Sequence, residues 1–181
     1  MSGHDADPAE ASGRGAATLT IAAPGAMQAF GARVAAALRE GDILVLTGEL
    51  GAGKTTFTRG LGEALGVRGA VTSPTFVLAR THPRAEGAPL VHVDAYRLTD
   101  AAELDDLDLD LERSITVIEW GAGLIDAIAD EWLEIVITRP ASAAVVDDPD
   151  EEVAEPRTVR LSAVGARGAE LLAAIAPSPT F

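Results

Sequence analysis

The chain has no cysteine, no asparagine and a single lysine among its 181 residues. Without cysteine there can be no disulfide, no thiolate nucleophile and no zinc or iron–sulfur site built on thiolates, a pattern that fits a reducing compartment. Without asparagine there is no N-glycosylation acceptor. Thirteen of the fourteen basic residues are arginine, and the lone lysine is Lys54. A bias toward Ala, Gly, Arg, Asp and Glu accounts for such gaps, and it makes the position of the surviving lysine informative. Positive charge is also scarce overall: 28 acidic residues give a formal net charge of -14. A chain this acidic is poorly suited to gripping DNA, RNA or an anionic membrane surface by itself. No apolar run approaches the ~18 residues of a membrane span. Residues 1–17 are polar and small and have no apolar signal core, so a cytoplasmic location is expected.

Organisation follows from the spacing of apolar runs. The length suits one domain able to bury a core without staples. Residues 1–17 read as a disordered lead and 18–176 as the domain. Within it, 141–156 is an acidic, Pro-containing mobile loop, and 177–181 is a tail. Short strands are expected at 18–21, 43–46, 90–93, 115–118, 132–138 and 158–161. Helices are expected at 26–39, 54–65, 123–129 and 170–175, with an acidic helical connection over 99–111. Gly66 stands where a helix C-cap belongs. Alternating strands and helices indicate an α/β domain with a mostly parallel central sheet flanked by helices.

The densest signal is Gly48-Glu49-Leu50-Gly51-Ala52-Gly53-Lys54-Thr55, which satisfies G-x-x-x-x-G-K-[ST] in full. The glycines let the backbone curl so that successive N–H groups point at phosphate oxygens. The following helix adds positive charge at its N-terminus. Lys54 reaches the β- and γ-phosphates, and Thr55 offers a hydroxyl to Mg²⁺. A chance glycine turn is the competing reading. The buried strand before the loop, the helix after it and the only lysine at its end favour a phosphate loop spanning Glu49 to Thr56. A phosphate loop also needs an acid to orient the metal. Asp94 and Glu119 each end an apolar run, where ligands sit in open α/β sheets.

Four blocks occur in order: GELGAGKTTF (48–57), SPTF (73–76), HVDAYRL (92–98) and IEW (118–120). Together they resemble the TsaE (YjeE) family, P-loop ATPases needed to make the threonylcarbamoyladenosine modification of tRNA. The resemblance implies a single P-loop NTPase domain that binds ATP and Mg²⁺ and hydrolyses ATP weakly. It implies that Lys54 is the phosphate lysine and Thr55 the magnesium hydroxyl. Residues 73–76 become a switch-like loop with Thr75 near the γ-phosphate. Glu119 becomes the metal-side acid and Asp94 the acid essential for hydrolysis or its coupling, although sequence alone does not order these two roles. The implied partners are TsaD and TsaB, acting with TsaC, so that tRNA is met only indirectly.

Other readings remain at this point. A small P-loop kinase would use the same loop and acids; it also calls for an arginine-rich lid, and no such segment is evident. A GTP switch needs an N-K-x-D element, which a chain without asparagine cannot supply. Among the flanking residues, His92 reads as a hydrogen-bonded structural group and Tyr96 as a packing group with a polar tip. Phe57 and Phe76 read as packing residues, Trp132 as core, and Trp120 as a neighbour of the nucleotide site. Arg80 and Arg84 read as solvated, and Arg97 has no preferred role.

Overall fold

The computed structural model describes residues 15–140 and 155–176. Residues 1–14 of the expected lead, the 177–181 tail and all of the acidic 141–156 stretch except Glu155 and Pro156 lie outside the described residues. In chain order the elements are β1 (Ala16–Ile21), α1 (Pro24–Ala35), β2 (Ile43–Thr47), α2 (Lys54–Leu65), β3 (Ala79–His82), β4 (Leu90–Asp94), α3 (Ala101–Asp105), β5 (Ile115–Glu119), β6 (Trp132–Thr138), β7 (Arg157–Val164) and α4 (Gly165–Ile175). Single 3₁₀ turns occupy Leu111–Arg113 and Ile125–Ala127.

The strands form one seven-stranded sheet in the order β1-β7-β6-β2-β5-β4-β3. Its centre, β6-β2-β5-β4, is parallel. Both edges are antiparallel, through β1–β7 and β7–β6 on one side and β3–β4 on the other. The strands β2, β4 and β5 are continuous apolar runs because both of their faces are covered, as parallel strands require. Alternate residues enter different cores. Leu44, Leu46, Leu90, Val117 and Leu133 pack with α1, α2 and α4. Ile43, Val45, Val91, Val93 and Ile118 pack on the other face with Leu104 of α3, Ile125 and Trp132.

Helix α1 begins with Pro24 in its first turn, a position where the missing N–H costs nothing. Helix α2 ends at Gly66, whose φ of 71° is left-handed, as expected at a C-cap. The two helices pack backbone to backbone. A Cβ on Gly60 would lie 2.2 Å from the Gln28 carbonyl oxygen, and one on Gly31 would lie 2.3 Å from that of Phe57. A polar clamp closes the far end of the sheet. Asp42, only 2% exposed, lies just before β2 and receives Arg167 of α4 through Nε–Oδ1 and NH2–Oδ2 bonds of 2.7 Å each. Arg167 also donates to the Ala37 carbonyl at 3.0 Å, and Asp42 accepts the Arg39 N–H at 2.7 Å.

Several expected boundaries change. The strand expected at 18–21 starts at Ala16, inside the stretch read as a lead. The connection over 99–111 is helical only at Ala101–Asp105. Its remainder alternates Leu107, Leu109 and Leu111 with aspartates, a period-two pattern that packs leucines against the second core without forming a helix. The helix expected over 123–129 shrinks to the Ile125–Ala127 turn, with Gly123 left-handed at φ 79°. Strand β3 was not expected. Its central residues Arg80 and Thr81 are exposed, and only pairing with β4 makes it a strand.

Candidate functional site

The site lies at the carboxyl ends of the parallel strands, where β2 turns into α2. A Cβ on Gly48 would come within 2.5 Å of the Ile137 carbonyl oxygen, so no larger residue fits between the loop and β6. Gly53 caps α2 at φ 112°, a conformation open to glycine, and no side chain caps the helix. The first N–H groups of this 12-residue helix therefore keep no side-chain partner at its cap and are available to an anion. Leu50 stands at the loop tip, 90% exposed, while Ala52 is buried beneath it.

Lys54 is buried. Its Nζ donates to the Gly48 and Glu49 carbonyls at 2.8 and 3.1 Å and lies 4.1 Å from the centre of the Trp120 ring. Burial pushes its pKa below the usual lysine value, and the charges of Glu119 and Asp94 pull the other way. Thr55 Oγ1 donates to Glu119 Oε1 at 3.4 Å. The same carboxylate oxygen lies 2.8 Å from His92 Nε2. Strand order produces this meeting: β5 lies next to β2, and β4 next to β5, with Asp94 level with Glu119. Asp94 Oδ2 accepts the Thr75 hydroxyl at 2.7 Å, and Oδ1 accepts the Tyr96 N–H at 3.0 Å. Thr75 is in turn 2.7 Å from Ser73 Oγ.

Thr55 with Glu119 and Thr75 with Asp94 thus form two hydrogen-bonded pairs, their acids level on neighbouring strands, and Lys54 feels the charge of both acids. Glu49, Leu50, Gly51, Ala52 and Gly53 form the curled loop before α2, and Thr56 lies in its first turn. The hydrogen bonds also distinguish the two acids: Glu119 is the partner of Thr55, whereas Asp94 is the partner of the 73–76 loop.

The donor set suits a nucleotide with Mg²⁺. Bonds of about 2.0–2.1 Å put neighbouring oxygens on Mg²⁺ about 2.9 Å apart, and the 3.4 Å between Thr55 Oγ1 and Glu119 Oε1 is close to that. Among the described residues no group of three or more His, Asp or Glu forms a metal cage. One hydroxyl and one carboxylate, completed by phosphate and water, is how Mg²⁺ is usually held.

The flanking residues fall on both sides of expectation. Trp132 and Phe57 are core. Trp120 packs at the site, with a left-handed φ of 63° and its ring edge-on to Tyr96 at 5.2 Å. Tyr96 packs its ring against Trp120 while remaining 66% exposed. Phe76 is not a packing residue: it is 89% exposed, on a loop that no element covers. Arg84 is not simply solvated; its Nε donates to the Leu65 carbonyl at 2.6 Å, tying β3 to the end of α2. Arg80 is exposed, as expected, with one bond to Thr72. Sequence reading overlooked Arg139. Its guanidinium flanks Gly51 of the loop and pairs with Glu155 at 3.4 Å. No motif marks it, because β6 brings it there by strand order alone.

Comparison with known proteins adds independent evidence. Residues 21–145 match the family described as threonylcarbamoyl adenosine biosynthesis protein TsaE. The chain is 53% identical over 147 residues to the tRNA threonylcarbamoyladenosine biosynthesis protein TsaE of Streptomyces coelicolor, covering 79% of this chain and 94% of that one. It is 40% identical to the protein of that name from Bacillus subtilis, covering 64% and 73%. The crystal structure of Bacillus subtilis YdiB superposes with a TM-score of 0.68 at 30% identity, covering 91% of this chain and 97% of that one.

Proposed function

Because the chain belongs to the TsaE family, we propose that it is the ATP-binding accessory protein of tRNA threonylcarbamoyladenosine modification and that it hydrolyses ATP slowly. The observation that carries this reading is the pairing of Thr55 with Glu119 and of Thr75 with Asp94 on neighbouring strand ends, with Lys54 at the start of a helix that no side chain caps. Bound ATP with Mg²⁺ supplies the phosphoanhydride and the cation that neutralises its charge. Lys54, which here donates to the Gly48 and Glu49 carbonyls, would serve the β- and γ-phosphates. The N–H groups at the start of α2 would hold the same oxygens, and Thr55 with Glu119 would hold the metal. Asp94, bonded to Thr75, links hydrolysis to the position of the 73–76 loop. Such catalysis is positioning and electrostatics, with no covalent step on the protein.

Its partners are proposed to be TsaD and TsaB, whose cycle ATP binding and hydrolysis drive. Four large apolar side chains, Leu50, Phe76, Val77 and Tyr96, are exposed on the loops that carry the site residues, which supports a protein contact sensitive to the nucleotide. The net charge of -14 favours meeting tRNA through those partners. No helix among the described residues is long and apolar enough to cross a membrane, in keeping with the proposed cytoplasmic location.

Turnover of ATP measured alone and with TsaB–TsaD tests the coupling, which predicts a change in rate and an ATP-dependent complex. Lys54→Ala should lose nucleotide binding and fail to restore tRNA modification. Full restoration by that variant would show that nucleotide is dispensable.

A further inference from the structure

We propose that His92 is a positioning residue for the metal-side carboxylate, holding Glu119 in the orientation that the nucleotide reaction requires. This inference rests on the proposed ATPase reading. In the parallel pairing of β4 with β5, His92 is level with Val117, two residues before Glu119. Its ring therefore reaches up one pleat to place Nε2 2.8 Å from Glu119 Oε1.

Both groups are shut away from water: the His92 side chain is 0% exposed and that of Glu119 4%. The hydrogen bonding assigns the ring proton. An ionised Glu119 carboxylate can only accept, which puts the hydrogen on Nε2, and a proton on Nδ1 would be a buried donor with no partner among the described residues. His92 thus presents one fixed N–H donor to one carboxylate oxygen.

Without that donor, the hydrogen bonds recorded for the Glu119 carboxylate would reduce to the longer 3.4 Å contact from Thr55. Three rotatable bonds would then let it swing toward Lys54, whose charge draws it. With the donor, Oε1 is held beside Thr55, the hydroxyl proposed to share the metal with it. Outer-shell donors of this kind change metal affinity or activity by about 10–100-fold.

The experiment compares His92→Met, which keeps bulk and removes the donor, with His92→Gln, whose side-chain amide can donate at a similar reach. Four quantities are read on the full chain with TsaB–TsaD: metal-free ATP affinity, the Mg²⁺ concentration at half effect, kcat, and the thermal shift on adding Mg²⁺–ADP. For His92→Met the expected result is metal-free ATP affinity within about 3-fold of wild type. Its half-effect Mg²⁺ concentration should rise and its kcat fall by about 10-fold or more, with the Mg²⁺–ADP thermal shift reduced. His92→Gln should recover most of that loss.

Equal behaviour of the two variants, whether both active or both impaired, would assign His92 to packing and overturn the proposal. A wild type that binds no nucleotide overturns the ATPase reading and this inference together, whereas a working wild type matched by His92→Met overturns only the inference. If His92→Met does not fold, nitrogen NMR of the wild-type imidazole decides. A slowly exchanging Nε2–H whose signal moves in Glu119→Ala supports the proposal, and a proton on Nδ1 overturns it.

Discussion

Replacing Arg167 by methionine keeps the aliphatic stem of the side chain and deletes the charge that meets Asp42. The wild-type guanidinium makes two charge-assisted bonds of 2.7 Å to a carboxylate that is 2% exposed, and one of 3.0 Å to the Ala37 carbonyl. Removing one partner of a buried pair leaves an uncompensated charge and costs about 3–5 kcal/mol. Asp42 keeps the Arg39 N–H at 2.7 Å, and Arg167 is 19% exposed, so the lower end, about 3 kcal/mol, is expected. For a domain of this size that corresponds to a fall in Tm of about 6–12 °C. The hydrogen bond to Asp42 raises the Arg167 pKa above the usual arginine range. A raised folded-state pKa gives stability that is fully present below the ordinary arginine value, so the effect should be constant from pH 6 to 9. Urea unfolding followed by the buried Trp132 measures it, and the Asp42→Asn/Arg167→Met double-mutant cycle isolates the pair. A loss under 1 kcal/mol, or additive single variants, would refute the buried-clamp reasoning. ATP affinity should not change, because the clamp lies at the opposite end of β2 from the phosphate loop.

Gly60→Ala should destabilise by about 1–3 kcal/mol through overpacking, although alanine favours a helix by about 1 kcal/mol, because its methyl would meet the Gln28 backbone; an equally or more stable variant in chemical denaturation would contradict the close α1–α2 contact. His82 is buried, and burial first, then His92 and Arg80, lower its pKa from 6.5. A lowered folded-state value means that the unfolded chain takes up the proton first, so stability present above pH 6.5 is lost on acidification by at most about 1.4 kcal/mol per pH unit. His82→Leu should flatten that part of the stability–pH curve, and parallel curves for the two proteins between pH 7.5 and 5 would refute the assignment. Lys54→Met should melt no lower than wild type without nucleotide: burial is the main cause of the depressed Lys54 pKa, so the charged form carries a cost at neutral pH that is relieved only as pH rises through that depressed value. A clear drop in Tm would mean that its carbonyl bonds outweigh desolvation. Asp94→Asn keeps an acceptor for the Tyr96 N–H and should slow ATP turnover by about 10²–10⁴-fold with little change in binding; unaltered turnover would remove Asp94 from the reaction.

The parts that were legible in the sequence are those encoded locally. The glycine-rich turn and α2 could be placed along the chain because glycine conformation, helix start and helix cap are properties of sequence neighbours. The strands β2, β4 and β5 were visible as apolar runs and β6 as an alternating one, and Asp94 and Glu119 stood out as candidates by ending two of them. Misreadings arose where the local pattern was silent or ambiguous. Phe76 is apolar by type, yet no element covers it. The Leu–Asp alternation after α3 is compatible with a helix only if its period is ignored. Strand β3 has no apolar alternation of its own.

By itself the sequence determined that a glycine-rich G-x-x-x-x-G-K-[ST] loop joins a strand to a helix, which lysine and hydroxyl it carries, and which two acids sit at strand ends. Tertiary structure alone decided how those groups meet. Thr55 and Glu119 are 64 residues apart, His92 and Glu119 are 27 apart, and Arg167 and Asp42 are 125 apart. Each pair is joined by the order of strands in the sheet and by the docking of α4 upon it. Local residue preferences specify whether a segment is strand or helix; which strand lies beside β2, and in what register, is set by burying both faces of the sheet at once.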